Sequence, residues 1–408
     1  MDDTKRIISK QILVDTANAI RTKKGTSSSI TPSDFADEIA SIETQKPTQS
    51  KTVTPTTSQQ TITPDEGHEL SSVTVNAVTN DIDKNIIADN IKYGTDILGV
   101  SGTFAGVTRE ISAKISPSAG FLPDRRDYIA CVAIGNVIYL FGGRTKPSTQ
   151  YVFSSSIYKY DVTTNTITTL AAVLPTGTAR ISAAIVGSNI YLFGGTTGNS
   201  IGHGLDTICK FDTTTETITT LSVSLPDTCF AMSNAVYGSI IYLFGGIKGG
   251  VNTTANVIYK FDTVNETITT ISTTLPEARR DMLAATIGNN VYLLGGFGKG
   301  VATNTVYKFN FITESISLYS SMTVYIYSAA VSVIANDIYL IGGYTTSYSN
   351  KIYKYNIDSK LISDTGITSG KRAGSGFAQI NGNTYIFGGE SSTTTMLSNK
   401  IVFQLEYE

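Results

Sequence analysis

The sequence predicts a mainly β protein: a small α-helical segment, a short β-rich adapter, and then six copies of one sheet unit. Three observations carry this expectation. The 408 residues include 36 glycines, 22 tyrosines, no tryptophan and abundant threonine, a usage rich in strand formers and turn residues. An apolar segment ending in a glycine pair recurs as VIYLFGG, NIYLFGG, IIYLFGG, NVYLLGG, DIYLIGG and NTYIFGG. The pairs are Gly142/Gly143, Gly194/Gly195, Gly245/Gly246, Gly295/Gly296, Gly342/Gly343 and Gly388/Gly389, with steps of 52, 51, 50, 47 and 46 residues. A second shared segment follows each pair after a variable loop: IYKYD at 157–161, ICKFD at 208–212, IYKFD at 258–262, VYKFN at 306–310, IYKYN at 352–356, and a degraded IVFQL at 401–405.

A period near 50 with a glycine pair after an apolar strand resembles the kelch repeat, in which each unit is one four-stranded propeller blade. Six copies then imply a six-bladed kelch-type β-propeller over residues 107–408. Each element has a physical reason. The first strand of each unit is small and apolar (IACVAI at 129–134, SAAIV at 182–186), which suits the crowded axis. The next strand carries Tyr139, Tyr191, Tyr242, Tyr292, Tyr339 and Tyr385, expected to fill the wider space between blades and to need a hydroxyl partner. The glycine pairs suit positive φ or close backbone approach. Asp161, Asp212 and Asp262 read as Asx-type turns between the two outer strands. The last unit ends soon after its third strand, so residues 107–114 are expected to supply its outer strand and clasp the ring, leaving no open edge. One departure from the kelch pattern is Ile167, Ile218 and Ile268 where an outer-strand tryptophan is common.

Residues 1–43 read as a helical attachment or oligomerisation segment. Ile8, Ile12, Leu13, Ala17 and Ile20 lie near helical spacing, Lys23 and Lys24 close the last turn, and Gly25 stops it. Thr31 is expected to cap a second helix opening at Pro32 and carrying an apolar stripe of Phe35, Ile39 and Ile42. Two such helices have too little core to stand alone and call for a partner. Residues 44–106 read as linker and β-rich adapter: a linker over 44–60, a strand over 70–78, and a helical turn, a break at Gly94 and a strand to Gly102 within 85–104. The string LVDTANAIRTKKGTSSSITPSDFADEIASI, then TVTPTTSQQTITPDEG, VTVNAV and NIKYGTDILGVSGTF, resembles the N-terminal region of tail-fibre and receptor-binding proteins of phages and phage-tail-like bacteriocins of Gram-positive, clostridial-type bacteria. That resemblance implies attachment to tail baseplate or fibre proteins through residues 1–106, a homotrimer, and a place on a virion tail or phage-tail-like particle.

Charge and chemistry narrow the function. With 31 basic and 33 acidic residues the net charge is −2, against a nucleic-acid partner held by bulk electrostatics. No stretch approaches the ~20 apolar residues of a membrane span, and MDDTKRII lacks a signal-peptide core, so synthesis in the bacterial cytoplasm without membrane insertion is expected. Three cysteines make no disulfide framework; Cys131 and Cys209 read as small buried residues and Cys229 as a turn residue. His203 is the single histidine of the repeat region, against the two histidines and tyrosine of copper-oxidase propellers. No P-loop, GxSxG, HExxH or CxxC pattern occurs. The expectation is therefore no enzyme, no catalytic residue, no metal and no cofactor.

A binding surface remains. In a propeller the loops between second and third strands and those between blades share one face. Asp124, Arg125, Arg126, Asp127, Arg279, Arg280, Asp281, Tyr325, Tyr327, Tyr344, Tyr348 and Arg372 are expected there. Arg126, Arg279 and Arg372 occupy one repeat position, 16 residues before each first glycine, where the kelch resemblance also implies a structural role binding backbone carbonyls. Carboxylates and guanidiniums form directional bonds to hydroxyls, and tyrosine faces stack on sugar rings. The expected function is a receptor-binding fibre protein whose propeller holds a host cell-surface glycan or surface protein reversibly. The rival reading is a carbohydrate-active enzyme, a sugar mutarotase or lyase.

Overall fold

A computed structural model describes residues 3–25, 27–41, 47–54, 60–75, 96–97, 100–101, 112–118, 122–199, 202–250, 253–393 and 395–406. The chain divides into two compact units, Met1–Arg109 and Glu110–Glu408.

In the first unit, α1 (Asp3–Lys24) has Arg21, Lys23 and Lys24 in its last turn, where the helix dipole favours cations. Gly25 follows with φ +64, the left-handed stop read from the sequence. The second helix opens differently from expectation. A 3₁₀ turn at Pro32–Asp34 precedes α2 (Phe35–Ala40), and the Thr31 hydroxyl bonds the Asp34 carboxylate instead of capping a backbone amide. Lys24 and Glu38 form an ion pair between the helices. Ala17 and Ile20 are buried, Ile39 is exposed, and Ile42 lies outside the described residues. The expected linker contains a strand: Thr48–Val53 pairs in parallel with Glu69–Val75. Its β-branched Thr48, Thr52 and Val53 suit extended backbone even in a polar stretch. The helical turn expected after residue 85 lies outside the described residues, and the strand to Gly102 is instead two short ones, Asp96–Ile97 and Val100–Ser101, paired antiparallel.

The second unit is mainly β and consistent with a β-propeller. It holds six four-stranded antiparallel sheets. In the first, Ala130–Ile134, Val137–Phe141, Ser156–Asp161 and Thr166–Val173 run outward in sequence order. The inner strands of the next four sheets are Ser182–Val186, Ser233–Tyr237, Leu283–Ile287 and Ala330–Ile334. The sixth sheet has Gly376–Ile380, Asn383–Phe387 and Lys400–Glu406, and its outer strand is Ser112–Ser118. The clasp thus forms from both sides of the repeat region, but nearer the repeats than residues 107–114. Lys400–Glu406 pairs in register with Ser112–Ser118, matching Ile401 to Pro117 and Phe403 to Ile115. Pro117 is tolerated because an outer strand needs amides on one side only.

Two cycles of backbone hydrogen bonds join the sheets. Tyr128, Arg180, Ala231, Asp281, Ser328 and Gly374 sit at one repeat position, just before each inner strand, and all have φ between +49 and +62. The amide of Arg180 donates to the Tyr128 carbonyl, Ala231 to Arg180, Asp281 to Ala231, Ser328 to Asp281, Gly374 to Ser328, and Tyr128 back to Gly374, over 2.6–3.3 Å. In the second cycle the last glycine of each pair donates to the next sheet's lead-in: Gly143 to Thr178, Gly195 to Cys229, Gly246 to Arg279, Gly296 to Ile326, Gly343 to Arg372, and Gly389 to Arg126.

That second cycle explains the glycine pairs. At Gly194 φ is +57, and an added Cβ would lie 2.1 Å from the Cys229 carbonyl oxygen. At Gly195 φ is +102, outside the left-handed well open to other residues. The next sheet's backbone comes too close for any side chain.

Between sheets the core is aromatic. Tyr139 packs on Phe211 of the next sheet at 5.1 Å, Tyr191 on Phe261, Tyr242 on Phe309, Tyr339 on Phe403, and Tyr385 on Tyr160 of the first sheet. Tyr292 and Tyr355 share one buried cluster. Hydroxyls expected to need partners find them: Tyr242 donates to Glu314 at 2.8 Å. That carboxylate also holds Lys260, a latch repeated as Lys159–Glu216 and Lys210–Glu266. The outer hairpins are the expected Asx turns, since Asp161, Asp212 and Asp262 each accept two following backbone amides, and Asn310 and Asn356 do the same.

The sixth sheet's third strand is offset by one residue from its sequence alignment. Phe387 pairs with Lys400, as Phe141 pairs with Ile157. Lys400 therefore occupies a position that is a fully buried Ile or Val in the other five sheets (Ile157, Ile208, Ile258, Val306, Ile352). It is 2% exposed, and its amine reaches the Tyr160 hydroxyl and the Asn165 side chain of the first sheet. Burial pulls its pKa down to about 8.

Three outcomes follow. Gly187→Ala and Gly194→Ala meet nearly the same φ, but only Gly194 faces backbone; nothing lies within 4 Å of a Cβ at Gly187. Urea unfolding should show a loss of about 1–2 kcal/mol for Gly187→Ala and a several-fold larger loss for Gly194→Ala; equal losses would refute the close-approach argument. Deleting the residues after Lys400 removes the middle of the closing sheet, so the melting transition of the whole repeat unit should broaden and fall, and an unchanged curve counts against the clasp. Lys400→Met should stabilise the fold most below about pH 8. The wild type binds fewer protons folded than unfolded between about 8 and the ordinary lysine value of 10.5, so its own stability rises across that window and the variant's advantage shrinks. A pH-independent difference between the two melting temperatures would overturn the assignment.

Candidate functional site

The residue after each glycine pair meets the residue before each left-handed position. Asp127 bridges Arg144, Ala179 bridges Thr196, Phe230 pairs with Ile247, Arg280 bridges Phe297, Tyr327 bridges Tyr344, and Ala373 bridges Glu390. The two loop sets expected to share a face therefore do meet, once in every sheet. The left-handed residue that follows the first member of each pair lines a central cavity of about 340 Å³. At the mouth stand Tyr128, Arg180, Asp281 and Ser328; below them Ile129, Ile181, Met232 and Met282 form an apolar wall.

The mouth is crossed by a charged bar. Arg180 Nη1 donates to both Asp281 carboxylate oxygens at 3.1 Å, and its guanidinium lies 3.6 Å from the centre of the Tyr128 ring. Asp281 also takes Arg280, whose guanidinium covers the Phe297 ring at 4.4 Å. On the other side Arg144 grips Asp127 through Nε and Nη2, at 3.0 Å each, and reaches Glu390 at 3.5 Å. Its Nη1 donates to Asn199 at 2.7 Å, and its guanidinium lies over Tyr151. Tyr348 donates to Glu390 at 3.1 Å, so burial and that carboxylate push its phenol upward. Tyr327, Tyr344 and Tyr348 form a run of ring contacts at 5.2–5.3 Å. Asp127 is 0% exposed, and burial pushes its carboxyl up to about 6 against the pull of Arg144.

The expected site residues divide into three groups. Asp281 lines the central cavity, and Asp127, Arg280, Tyr327, Tyr344 and Tyr348 lie in the bridging pairs or in contact with them. Arg125 and Tyr325 are exposed on the lead-in loops, and Asp124 pairs with Arg126 there. Arg126, Arg279 and Arg372 are corrected: all three are buried, and the first two hold their own sheet together. Arg126 Nη1 donates to the Gly142 carbonyl at 2.8 Å and Nη2 to the Tyr158 hydroxyl; Arg279 repeats this with Gly295 and Tyr307. Arg372 has no such tyrosine, because Ile401 stands at that position in the sixth sheet. Its Nε donates to the Ser369 carbonyl, Nη1 is unpartnered, and burial lowers its pKa to about 10. Cys229 is fully buried rather than at an accessible turn, its thiol pushed up to about 12.

Sequence reasoning missed Tyr128, Arg144, Arg180 and Glu390. The signal that would have found them is positional. Arg144 and Glu390 directly follow a glycine pair, and Tyr128 and Arg180 share the left-handed position with Asp281.

The KLHDC2/KLHL20/DRC7 Kelch-repeats domain matches residues 104–228 and 181–389. No curated protein matches the chain. The two matched stretches together span more than half of the 408 residues and cover the sheets up to the third strand of the sixth. The chain belongs to the kelch-repeat family.

Proposed function

We propose that the six sheets are the blades of one closed six-bladed propeller, and that the chain is a receptor-binding fibre protein of a phage or phage-tail-like particle. Its propeller face binds a host cell-surface glycan or protein, and no bond is broken. One observation carries the binding reading. Of the carboxylates in this region, Asp127 and Glu390 are buried, the Asp281 side chain is 8% exposed, and each is held by a guanidinium. What reaches solvent is guanidinium edges, tyrosine hydroxyls and ring faces, the inventory of a surface that reads a ligand. The cyclic backbone bonds and the inter-sheet aromatic pairs support closure.

Residues 1–106 serve attachment and trimerisation in this reading. Among the described residues before Arg109, only Ala17 and Ile20 are buried hydrophobics, while Ile12, Leu13, Val14, Ile39, Val73 and Val75 are exposed. A unit with so small a core needs neighbouring chains to bury its apolar side chains. Several weakly binding heads on one particle raise apparent affinity by about 10²–10⁴ through effective concentration.

One observation favours the rival, a sugar mutarotase or lyase: Asp127, pushed up to about 6, has the proton affinity of a general acid or base. Its lack of exposure argues the other way, because a catalytic carboxyl must reach its substrate.

The test is adsorption of the full-length protein to a panel of Gram-positive cell walls, with light scattering on the same sample. The expected result is a trimer that adsorbs to at least one wall and releases no sugar fragments. A monomer refutes trimerisation, failure on every wall refutes the receptor-binding reading, and shortened or anomerically altered glycan turns the assignment to the enzyme.

A further inference from the structure

We propose, resting on the glycan-binding reading above, that this face takes an acidic glycopolymer, whose carboxylate or phosphate groups lie in a groove running from Arg144 past Arg280 to Lys299. Two depressions adjoin on the face, of about 350 and 370 Å³, and they share Ile247 and Arg280. Arg144, Arg180 and Arg280 line the first, and Arg280 and Lys299 the second. No carboxylate is among the described residues lining either one.

The charges are unevenly matched along this groove. Arg144 has two carboxylates, Asp127 and Glu390. Asp281 is a single carboxylate serving two guanidiniums, Arg180 and Arg280. One positive charge is therefore left over where the two depressions meet. Exposure repeats the asymmetry: the Arg280 side chain is 20% exposed and that of Lys299 80%, while Asp281, the partner of Arg280, is 8% exposed. The Lys299 ammonium reaches Glu277 only at 3.6 Å. A cation whose carboxylate stands behind it is oriented by that carboxylate and still offers donors outward.

The remaining lining fits a polyol chain. Aromatic residues border both depressions, Tyr151 and Phe230 in the first and Phe297 in the second, and Thr253 and Thr254 add hydroxyls beside the cations. Ring faces next to hydroxyl and guanidinium donors suit sugar rings carrying a periodic acid. Both sites are shallow and open, so affinity comes from repetition along a polymer and weakens as salt screens the charges.

The experiment is titration calorimetry of the full-length protein with four polymers of matched length: polygalacturonate, poly(glycerol phosphate), neutral dextran and poly-glutamate. Binding of polygalacturonate or poly(glycerol phosphate) is expected, and which of them binds identifies the acid as carboxylate or phosphate. Affinity should fall between about 0.05 and 0.5 M salt, and dextran should give no heat. Arg280→Gln and Lys299→Gln should each weaken binding about five- to tenfold, the size of one ordinary hydrogen bond lost at a solvated site. If Arg280→Gln fails to fold, the exposed Lys299→Gln decides alone. The proposal is overturned if neither acidic polymer binds, if dextran or poly-glutamate binds as tightly, or if the folded variants match the wild type. Adsorption to host walls without binding of either acidic polymer would remove this inference and leave the fibre reading standing; binding of an acidic polymer without adsorption to any wall would do the reverse.

Discussion

The fold depends on six left-handed residues that hand one hydrogen bond to each other around the axis. At Tyr128, Arg180, Ala231, Asp281, Ser328 and Gly374 the backbone bends so that its amide meets one neighbour and its carbonyl the other. Five of the six are not glycine, and each costs about 1–2 kcal/mol in that conformation. Each bond returns about 1 kcal/mol. The two sums nearly cancel, so the cycle contributes registry more than stability. Stability comes from the aromatic seams outside it, where Tyr139, Tyr191, Tyr242 and Tyr339 bury their rings against the following sheet and the half-buried Tyr385 packs on Tyr160.

Registry matters because every sheet must present its loops at the same height. Once the left-handed residue is fixed, the residue before it is fixed as well, and that residue bridges the one following the glycine pair. Twelve residues thus meet in six equivalent pairs. The scaffold constrains where they sit and leaves their chemistry free. Asp127–Arg144, Arg280–Phe297 and Tyr327–Tyr344 are the same structural pair with unlike contents, which is how repeated sheets carry an asymmetric surface.

The repeat made most of the architecture legible. Glycine pairs, inter-sheet tyrosines and Asx turns were readable because each occurs several times in phase, and their physical causes repeat with them. What was not readable breaks the repeat. The sixth sheet aligns by sequence at Ile401, because Ile matches Ile; the structure sets it at Lys400, because Phe387 fixes the ladder and Phe403 must fill the pocket that Phe211 fills elsewhere. The strand at Thr48–Val53 was hidden by its polar composition, its partner being a parallel strand 16 residues further on. In the site, Arg126, Arg279 and Arg372 stood out for being shared, and sharing marked a structural role. Arg144, Arg180 and Glu390 each occur once at their repeat positions, so repetition could not point to them.

That contrast separates structural from functional positions in a repeat protein of this kind. A charge that recurs in phase, as Arg126 and Arg279 do, answers a need that recurs in phase, here the carbonyl of the first glycine and a tyrosine hydroxyl. A charge present in one sheet alone answers something the scaffold does not require. Lys400 is the instructive exception, since it is solitary and buried. It replaces an apolar residue at the seam where the sixth sheet meets the first, and the polar partners it finds, Tyr160 and Asn165, belong to that first sheet. A lysine there bonds the sixth sheet to the first at the cost of desolvating its amine, which its lowered pKa registers. The solitary charges of the mouth have no such seam to close. Arg144, Arg180 and Arg280 keep part of their guanidinium surface toward solvent after their carboxylate partners are satisfied, and that residue of unspent hydrogen-bonding capacity is what a ligand would use.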